Sequence, residues 1–509
     1  MKKSFIHFIV VLLCACALLP NFLYPFIESN DNIFNVACPQ ERFGRSFMFT
    51  RPLFNHIATD QAAWHNFVQK KNHTTRASAQ ITGAYQDTRE NRAIERYFLI
   101  NGKNELLVAG GPSLTVNGEC RDVRAEWVGL PSDFIGTMRI NPKQTQYGVD
   151  LKYNQDIGTF LDVPFFRDSW FSVQFPLTVV NNNINLHETS LVPTFTGFPN
   201  SIAQAFNNPD WCYGRIGCNH TAIQVPWVTV MMGSPFLGER YNQIGYYTGI
   251  TIPTSKKADP KYLFSPITGY NGHIAINAGV NFNVLLNKEI DHFAACWYLN
   301  LDNIFLIRAK QKRTFDLKGK PWSRYMQYHV RCSPEQPVEE IPASQQFVPG
   351  VNVLTRDAIV HPYNIVDFGT GFRFTFENKL EVEFGYGIWG HTEEWVYIIC
   401  EQQTPPSIGL IGIAGTSSPD GTPHTASQST IAKLAENDDF FVAVNDFDLD
   451  PESAASWAAL NHGAHGSVNY LYFGSNVDAF VGVGWFLDFP QKNAALQTWG
   501  VWAKAGASF

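Results

Sequence analysis

The chain ends on TWGVWAKAGASF, residues 498–509, a stretch in which apolar residues alternate with small or polar ones. The odd positions are Trp499, Val501, Ala503, Ala505, Ala507 and Phe509. The even positions include Thr498, Gly500, Lys504, Gly506 and Ser508, with Trp502 as the exception. Because successive side chains of a strand point to opposite faces, this period of two predicts a strand with one apolar and one wet face.

The same alternation recurs over lengths sufficient to cross a bilayer. Between Ile274 and Leu286 the even positions are apolar, whereas Asn277, Asn281 and Asn283 lie between them. Further alternating runs cover residues 77–86, 147–154, 171–179 and 380–388. A membrane crossing takes ~9–11 tilted residues per strand, and the strands of a secreted β-sandwich, the alternative fold, are usually shorter. Strand length therefore favours strands that span a membrane.

Composition favours the same class. Charged residues make up 16% of the chain and aromatic residues 14%, whereas soluble proteins average roughly 25% charged residues. After residue 25 no apolar run is long enough for a membrane-spanning helix, and a closed barrel is the other way to satisfy the backbone in lipid. We therefore predict an all-β fold, a transmembrane antiparallel up-and-down β-barrel of about 14 strands, with roughly 12 to 18 compatible with the pattern.

The amino terminus has the features of an export signal. Lys2 and Lys3 precede an apolar run over residues 4–19, and Ala15-Cys16-Ala17 fits a cleavage site. We predict a signal peptide over residues 1–17; a membrane anchor and a lipoprotein acylated at Cys16 are alternatives. Residues 18–75 would then form a periplasmic or lumen-associated segment, and residues 76–509 the barrel.

Together, the signal segment, the alternating spans and the terminal Phe509 resemble bacterial outer-membrane β-barrel proteins of the porin-like kind, without matching a subfamily. The resemblance implies a bacterial outer-membrane location, contact with outer-membrane lipids, and recognition of Phe509 as an assembly signal by the barrel-assembly machinery. A homo-oligomer is possible in this class.

Long connections are predicted at residues 181–221, 332–361 and 401–466, with short helices near residues 200–206 and after Asp450. Such loops either narrow the barrel mouth or cap it. Cys212 and Cys218 lie close together in the first loop and are candidates for a disulfide, with two free thiols as the alternative. Acidic residues of the third loop, among them Asp446, Asp448 and Asp450, would bias the entrance toward cations.

Charged residues on the wet faces are the candidates for a pore lining. They are Arg139, Asp150, Lys152, Arg373, Glu381, Glu383 and Lys504. Arg139 enters this set through a predicted hairpin that joins residues 134–140 to 147–153. Both signs are present, so the sequence indicates no ion preference. The alternative is that these residues only solvate the barrel wall.

Motifs of other functions are lacking in the sequence. The acidic run from Asp446 has Pro451 where an EF-hand needs glycine, and no paired CxxC spacing predicts zinc. No nucleophile elbow is present, and the net charge of −7 offers no basic stripe for nucleic acid. We expect no metal or cofactor. The leading hypothesis is a channel for passive diffusion of small polar solutes or ions; a structural or adhesive surface barrel with a plugged lumen is the alternative, and a barrel enzyme is less favoured.

Overall fold

In the computed structural model, 12 antiparallel strands close into a barrel. The strands are β1 (Ala77–Thr88), β2 (Lys143–Asp156), β3 (Trp170–Asn183), β4 (Trp227–Gly238), β5 (Gln243–Pro253), β6 (Ala275–Leu285), β7 (Phe293–Leu306), β8 (Tyr363–Phe376), β9 (Leu380–His391), β10 (Ala459–Phe473), β11 (Asp478–Pro490) and β12 (Thr498–Ser508). Consecutive strands pair along the whole sequence, and β12 closes the ring on β1, with Ser508 opposite Ser78 and Thr498 opposite Thr88. The predicted transmembrane barrel is confirmed.

The structure describes residues 44–62, 77–89, 94–111, 115–116, 119–157, 169–190, 199–217, 219–238, 242–287, 292–331, 347–399, 410–414, 441–474, 477–491 and 494–509. The predicted signal peptide lies outside these ranges, and of the predicted segment 18–75 only residues 44–62 are described. Among all described residues, no helix is long and apolar enough to cross a membrane.

The two faces of the barrel wall follow the predicted alternation. On β12, Val501 points outward and is exposed, whereas Lys504 points inward and is 2% exposed. Large apolar side chains on the outer face include Ile81, Val149, Phe175, Ile276, Phe384, Val468 and Val483. The inner face is polar and buried, with Asn277, Asn281 and Asn283 on β6. Trp502, the exception in the terminal pattern, packs inside the barrel against Leu53 and Phe486.

Pro176 illustrates how the wall accommodates a residue that cannot donate to a ladder. On one side it lies opposite Asp150 of β2. On the other side of β3, Gln224 pairs with Thr178 and Thr229 pairs with Gln174, and no ladder pair is formed between them. The break contains Pro226 and separates the short strand Asn219–Gln224 from β4. A proline is tolerated where a neighbouring partner is missing.

Connections differ sharply between the two barrel ends. At one end, called the turn end here, β8 and β9 are joined through residues 377–379 and β10 and β11 through 474–477. The other end, the cap end, carries the long connections over residues 89–142, 184–226, 254–274, 307–362 and 392–458. Large side chains from these connections form a common core, including Phe98, Phe206, Trp211, Trp322 and Tyr325. The connections therefore fold together as a cap.

Short strands provide most of the regular structure of the cap. They are Leu106–Ala109, Thr115–Val116, Glu119–Cys120, Val123–Arg124, Ile135–Arg139, His187–Ser190, Ala309–Thr314, Asp316–Leu317, Gln327–Arg331, Phe347–Pro349, Thr355–His361, Trp395–Ile398, Leu410–Ala414, Phe441–Ala443 and Leu449–Asp450. The described α-helices outside the barrel wall are Ile57–Gln61, Glu95–Phe98, Ile202–Phe206 and Gly350–Val353, and the 3-10 helices are Ile100–Gly102, Ala125–Val128, Ser323–Tyr325, Asp446–Asp448 and Pro451–Ala454.

The strand count corrects the prediction of about 14. Ile135–Arg139 pairs with Leu106–Ala109 and with His187–Ser190 in the cap, so the predicted hairpin with β2 does not form. Alternation identifies a strand but not its partner, and this strand is too short to cross a bilayer. Two predicted loop boundaries are also wrong. Residues 459–466, predicted as loop, belong to β10. Residues 332–361 are only part of a longer connection, which includes the strand Thr355–His361.

The outward face should tolerate charge poorly. Val483 lies near the middle of β11 and is 56% exposed, and we expect Val483→Arg to destabilise the folded barrel by ~2–4 kcal/mol because Arg at mid-bilayer loses its hydration. Phe447→Arg is the matched control, since Phe447 is 79% exposed in the cap and a surface change is usually within about 0.5 kcal/mol. Unfolding in lipid vesicles measures both; equal effects would contradict a lipid-facing β11.

Candidate functional site

A stretch of the chain that precedes β1 runs through the inside of the barrel. Residues 51–62, called the plug segment, descend from the cap end toward the turn end. Leu53 N donates to Gln146 Oε1 at 3.0 Å, and Asp60 meets Lys152 further along β2 at 2.8 Å. The plug segment thus follows β2 along part of the lumen and occupies it.

Arg51 fixes the part of the plug segment nearest the cap end. Its Nη1 donates to both carboxylate oxygens of Asp488 at 3.1 and 3.0 Å, and Nη2 donates to Asp367 at 2.7 Å. Nε donates to the Asn55 carbonyl at 2.7 Å, and the guanidinium lies 5.4 Å from the Trp389 ring centre. The two carboxylates come from β8 and β11, so a single side chain of the plug segment bridges separate parts of the wall.

Lys504 and Lys152 hold the end of the plug segment nearest the turn end. The Lys504 Nζ donates to the carbonyls of Thr59, Asp60 and Ala62 at 2.5, 3.1 and 3.1 Å. These carbonyls lie at the end of helix Ile57–Gln61, where carbonyls have no partner within a helix. An ammonium has three N–H groups, so each donor of this buried lysine has an acceptor. Lys152 adds an ion pair to the Asp60 carboxylate.

Neutral contacts complete the seating of the plug segment. His56 lies 3.1 Å from Gln86 Oε1 and stacks on Phe486 with ring centres 3.9 Å apart. Asn55 donates to the Tyr270 hydroxyl at 3.1 Å. Together with the ionic contacts, these reach strands on several sides of the barrel, so the plug segment crosses the lumen.

A second ionic cluster lies nearer the turn end. Arg373 donates to Glu383 at 2.5 Å and lies 3.7 Å from Glu381. Asn469 donates to Glu381 at 3.2 Å. All four side chains point inward and are buried. They occupy part of the lumen on β8, β9 and β10.

A cavity of about 60 Å³ remains beside the plug segment, against β5, β6 and β7. Its lining includes Asp60, Lys152, Asn277, Asn281 and Asp302. The side-chain oxygens of Asn277 and Asn281 have no hydrogen-bond partner within the protein. Buried polar groups need partners, so this part of the wall suits water or a polar solute.

The structure brings together six of the seven residues predicted to line a pore. Asp150, Lys152, Arg373, Glu381, Glu383 and Lys504 all point into the barrel and are buried. Arg139 does not: it lies on a cap strand, and its half-exposed side chain is 3.4 Å from Glu105. A role for the six in a conducting pore remains a prediction.

Acidic residues of the third predicted loop have local partners. Asp446 accepts from Arg356 at 3.1 Å, and Asp448 accepts from the Asn445 backbone at 2.9 Å. Asp450 caps the helix Pro451–Ala454, and burial raises the pKa of its carboxyl to about 6. The described part of this loop therefore gives no isolated acidic ring at the entrance.

Cys212 and Phe509, two further residues singled out in the sequence, lie within the described ranges. Cys212 is an exposed free thiol and Cys218 lies outside the described residues, so a disulfide between them stays a prediction. Phe509 is exposed, and its backbone exchanges two hydrogen bonds of 2.9 Å with Ala77 at the turn end. Its role as an assembly signal is not tested by this geometry.

Sequence reasoning found Lys152 and Lys504 but missed the anchor formed by Arg51, Asp367 and Asp488. Arg51 precedes every predicted strand, and Asp367 and Asp488 lie outside the alternating runs given above. One signal was available: Asp367 and Arg373 are six residues apart on β8 and share its inward face. Extending the inward positions back from Arg373 would have found Asp367.

A closed barrel with an apolar exterior and a polar, charged interior defines a class. It is a transmembrane β-barrel, the architecture of bacterial outer-membrane proteins. Within the described ranges, no group of three or more His, Cys, Asp or Glu side chains is placed to hold a metal ion.

Comparison with known proteins adds no family. No family model matches the chain, and no curated protein matches it. Solved structures with a similar course include an outer membrane channel from Pseudomonas putida F1 (10% identity, 86% of this chain and 99% of that chain, TM-score 0.34). Others are a FadL homologue from Pseudomonas aeruginosa (7%, 85% and 90%, 0.26) and the outer membrane protease OmpT from Escherichia coli (9%, 85% and 97%, 0.20). Likenesses this distant carry no argument about function.

Removing the Lys504 ammonium should loosen the end of the plug segment nearest the turn end. In Lys504→Met three buried carbonyls lose their donor, which costs about 1–3 kcal/mol, and hydrogen exchange of the backbone amides of residues 57–62 should accelerate by roughly tenfold or more. Arg139→Met is the control, because an exposed ion pair contributes only about 0–1 kcal/mol. Unchanged exchange at residues 57–62 in Lys504→Met would show that Lys504 does not hold the segment.

Proposed function

We propose that the protein is an outer-membrane channel for small polar solutes or ions, and that the plug segment holds it closed in the present conformation. The observation that carries this proposal is the way the segment is held. Its main anchors are ion pairs and hydrogen bonds to inward-facing wall residues, chiefly through Arg51 and Asp60. When such contacts are released, water can replace them at little cost, whereas a tightly packed apolar core would resist opening.

Barrel size is consistent with a lumen that needs a plug. Barrels of eight strands are filled by their own side chains, whereas those of 16–18 strands leave an aqueous channel. This barrel has 12 strands and uses the plug segment to fill the space between. The cavity of about 60 Å³ beside the plug segment has room for a few waters, since one water needs about 10–15 Å³ of such space. Passage of a solute therefore requires the plug segment to move.

Orientation follows from the connections. In outer-membrane barrels the short turns face the periplasm and the longer loops face outward. The turn end, with Phe509, would then be periplasmic, and the cap would face the outside. Outer-membrane lipids and the barrel-assembly machinery remain proposed partners, and a homo-oligomer remains a prediction.

A second candidate function is a structural or adhesive surface barrel. The observation that favours it is the cap, whose connections share an extensive apolar core around Trp211, Trp322 and Tyr325. A rigid cap is suited to outward recognition even if the lumen never opens. We favour transport over this role and over catalysis because charged wall residues hold the plug segment through Arg51 and Asp60.

Conductance measurements distinguish a channel from a structural or adhesive barrel. In planar bilayers the wild-type barrel should be closed most of the time, and Arg51→Ala should conduct. In that variant Asp367 and Asp488 lose their buried partner, which costs the closed state about 3–5 kcal/mol, whereas water solvates both carboxylates once the lumen opens. The open probability should rise by roughly a hundredfold or more.

Arg139→Ala is the matched control for that experiment, since Arg139 pairs with Glu105 on the cap surface and should leave conductance at the wild-type level. Silence from a correctly folded Arg51→Ala barrel would favour the structural or adhesive role. A wild-type barrel that is steadily open would contradict closure by the plug segment.

A further inference from the structure

The Arg51 anchor has the form of an occupied cation site. Asp367 and Asp488 are each 3% exposed, yet together they surround a single guanidinium. Asp367 also accepts from the Ile57 backbone at 2.8 Å, and Asp488 from Thr498 at 3.3 Å. Thr498 therefore holds Asp488 from the wall, independently of Arg51, whereas Ile57, which holds Asp367, belongs to the plug segment.

A buried hydrogen-bond acceptor near the Arg51 site has no partner. Asn461 is 2% exposed, and its side-chain oxygen has no hydrogen-bond partner in the protein. It points inward on β10 and lies directly opposite Trp389 in the ladder with β9. Two residues further along, Gly463 lies opposite Asp488. An unpartnered buried acceptor therefore lies on the inward face, directly opposite Trp389 and two residues from the partner of Asp488.

We propose that Asp367, Asp488, Trp389 and Asn461 form a recognition site for a small guanidinium-bearing solute, and that Arg51 fills this site as a tethered occupant. A solute of this class competes with Arg51, releases the plug segment and opens the lumen. This inference rests on the proposed channel function and adds to it a solute class and a means of opening.

Geometry favours a guanidinium over other cations. A planar guanidinium has a fork of two terminal nitrogens that can serve two carboxylates at once: Arg51 Nη1 donates to both Asp488 oxygens at 3.1 and 3.0 Å, and Nη2 donates to Asp367 at 2.7 Å. The aromatic ring of Trp389 adds a favourable cation–π contact. An ammonium is a point charge without the fork, and a calcium ion requires six to eight oxygens at about 2.3–2.6 Å.

Tethering sets the concentration at which a solute competes. A group on a short linker has an effective concentration of the order of millimolar. A free guanidinium with similar contacts would therefore displace Arg51 at millimolar concentration. When Arg51 is absent, the site is always available, so the apparent affinity should tighten by the reciprocal of the fraction of time that the site is free of Arg51 in the wild type.

Binding can be measured without reference to conduction. Methylguanidinium chloride is titrated by calorimetry into the full-length barrel folded in detergent, with tetramethylammonium chloride as a cation that has no N–H donor. Arg51→Ala should bind methylguanidinium on the order of tenfold or more tighter than the wild type, and tetramethylammonium should not bind. Adding Asp488→Asn to Arg51→Ala should abolish binding. Equal affinity in the wild type and Arg51→Ala, or binding that survives Asp488→Asn, overturns the proposal.

Conductance tests the same idea in the wild-type chain. Millimolar methylguanidinium should open the wild-type barrel, whereas tetramethylammonium at the same ionic strength should not. If Arg51→Ala conducts but methylguanidinium neither binds nor opens the wild type, this inference fails and the proposed channel stands. If no variant conducts although methylguanidinium binds Arg51→Ala, the channel function fails and the recognition site stands. Should Arg51→Ala not fold, Arg51→Lys replaces it, since it keeps the charge but not the fork and should tighten methylguanidinium binding in the same direction.

Discussion

The buried contact of Arg51 with Asp367 and Asp488 determines how the inside of this barrel is organised. Three charges in a lumen that excludes most water are stable only when they are paired. Asp367 and Asp488 belong to separate wall strands, whereas Arg51 belongs to a segment that precedes the first strand, so the closed lumen depends on this one side chain being in place. Lys504 and Lys152 hold the other end of the segment in the same way, through carbonyls and a carboxylate. The plug segment is thus fastened mainly at its two ends by groups that water could also satisfy.

The rest of the fold serves to keep those anchors in register. Closure of β12 on β1 leaves the wall without an edge, which is what a strand protein in lipid requires. The wall is apolar outside and polar inside because side chains alternate, and this alternation places Asp367, Arg373 and Lys504 on the lumen side. At the cap end, residues just before the plug segment, among them Met48 and Phe49, are buried in the cap core. The cap therefore fixes where the plug segment enters, and the wall fixes where it ends.

Sequence patterning was sufficient for the barrel wall and for six inward charged residues, but not for the Arg51 anchor. The faces of the strands, including Lys504 inward and Val501 outward, follow from a period of two and needed no partner information. Strand pairing was a different matter: Ile135–Arg139 alternates like a barrel strand but pairs within the cap, which removed Arg139 from the lumen. Arg51 was beyond reach because its partners are more than 300 residues away and no local pattern marks a segment that threads through a barrel. Asp367 was within reach, since its inward position follows from that of Arg373 on the same strand.

Residues 51–62 close the lumen by lying in it. The most direct measurement uses a chain with cysteines at positions 60 and 152, Asp60→Cys with Lys152→Cys, two positions whose native side chains are in contact. A short bis-methanethiosulfonate reagent joins them through two reducible disulfides, with methanesulfinate as the leaving group, and conductance is recorded in planar bilayers before bridging, after bridging and after reduction. If residues 51–62 must move for the lumen to open, the unbridged chain opens, the bridged chain stays closed, and reduction restores opening. Undiminished conductance through fully bridged barrels would contradict closure by residues 51–62.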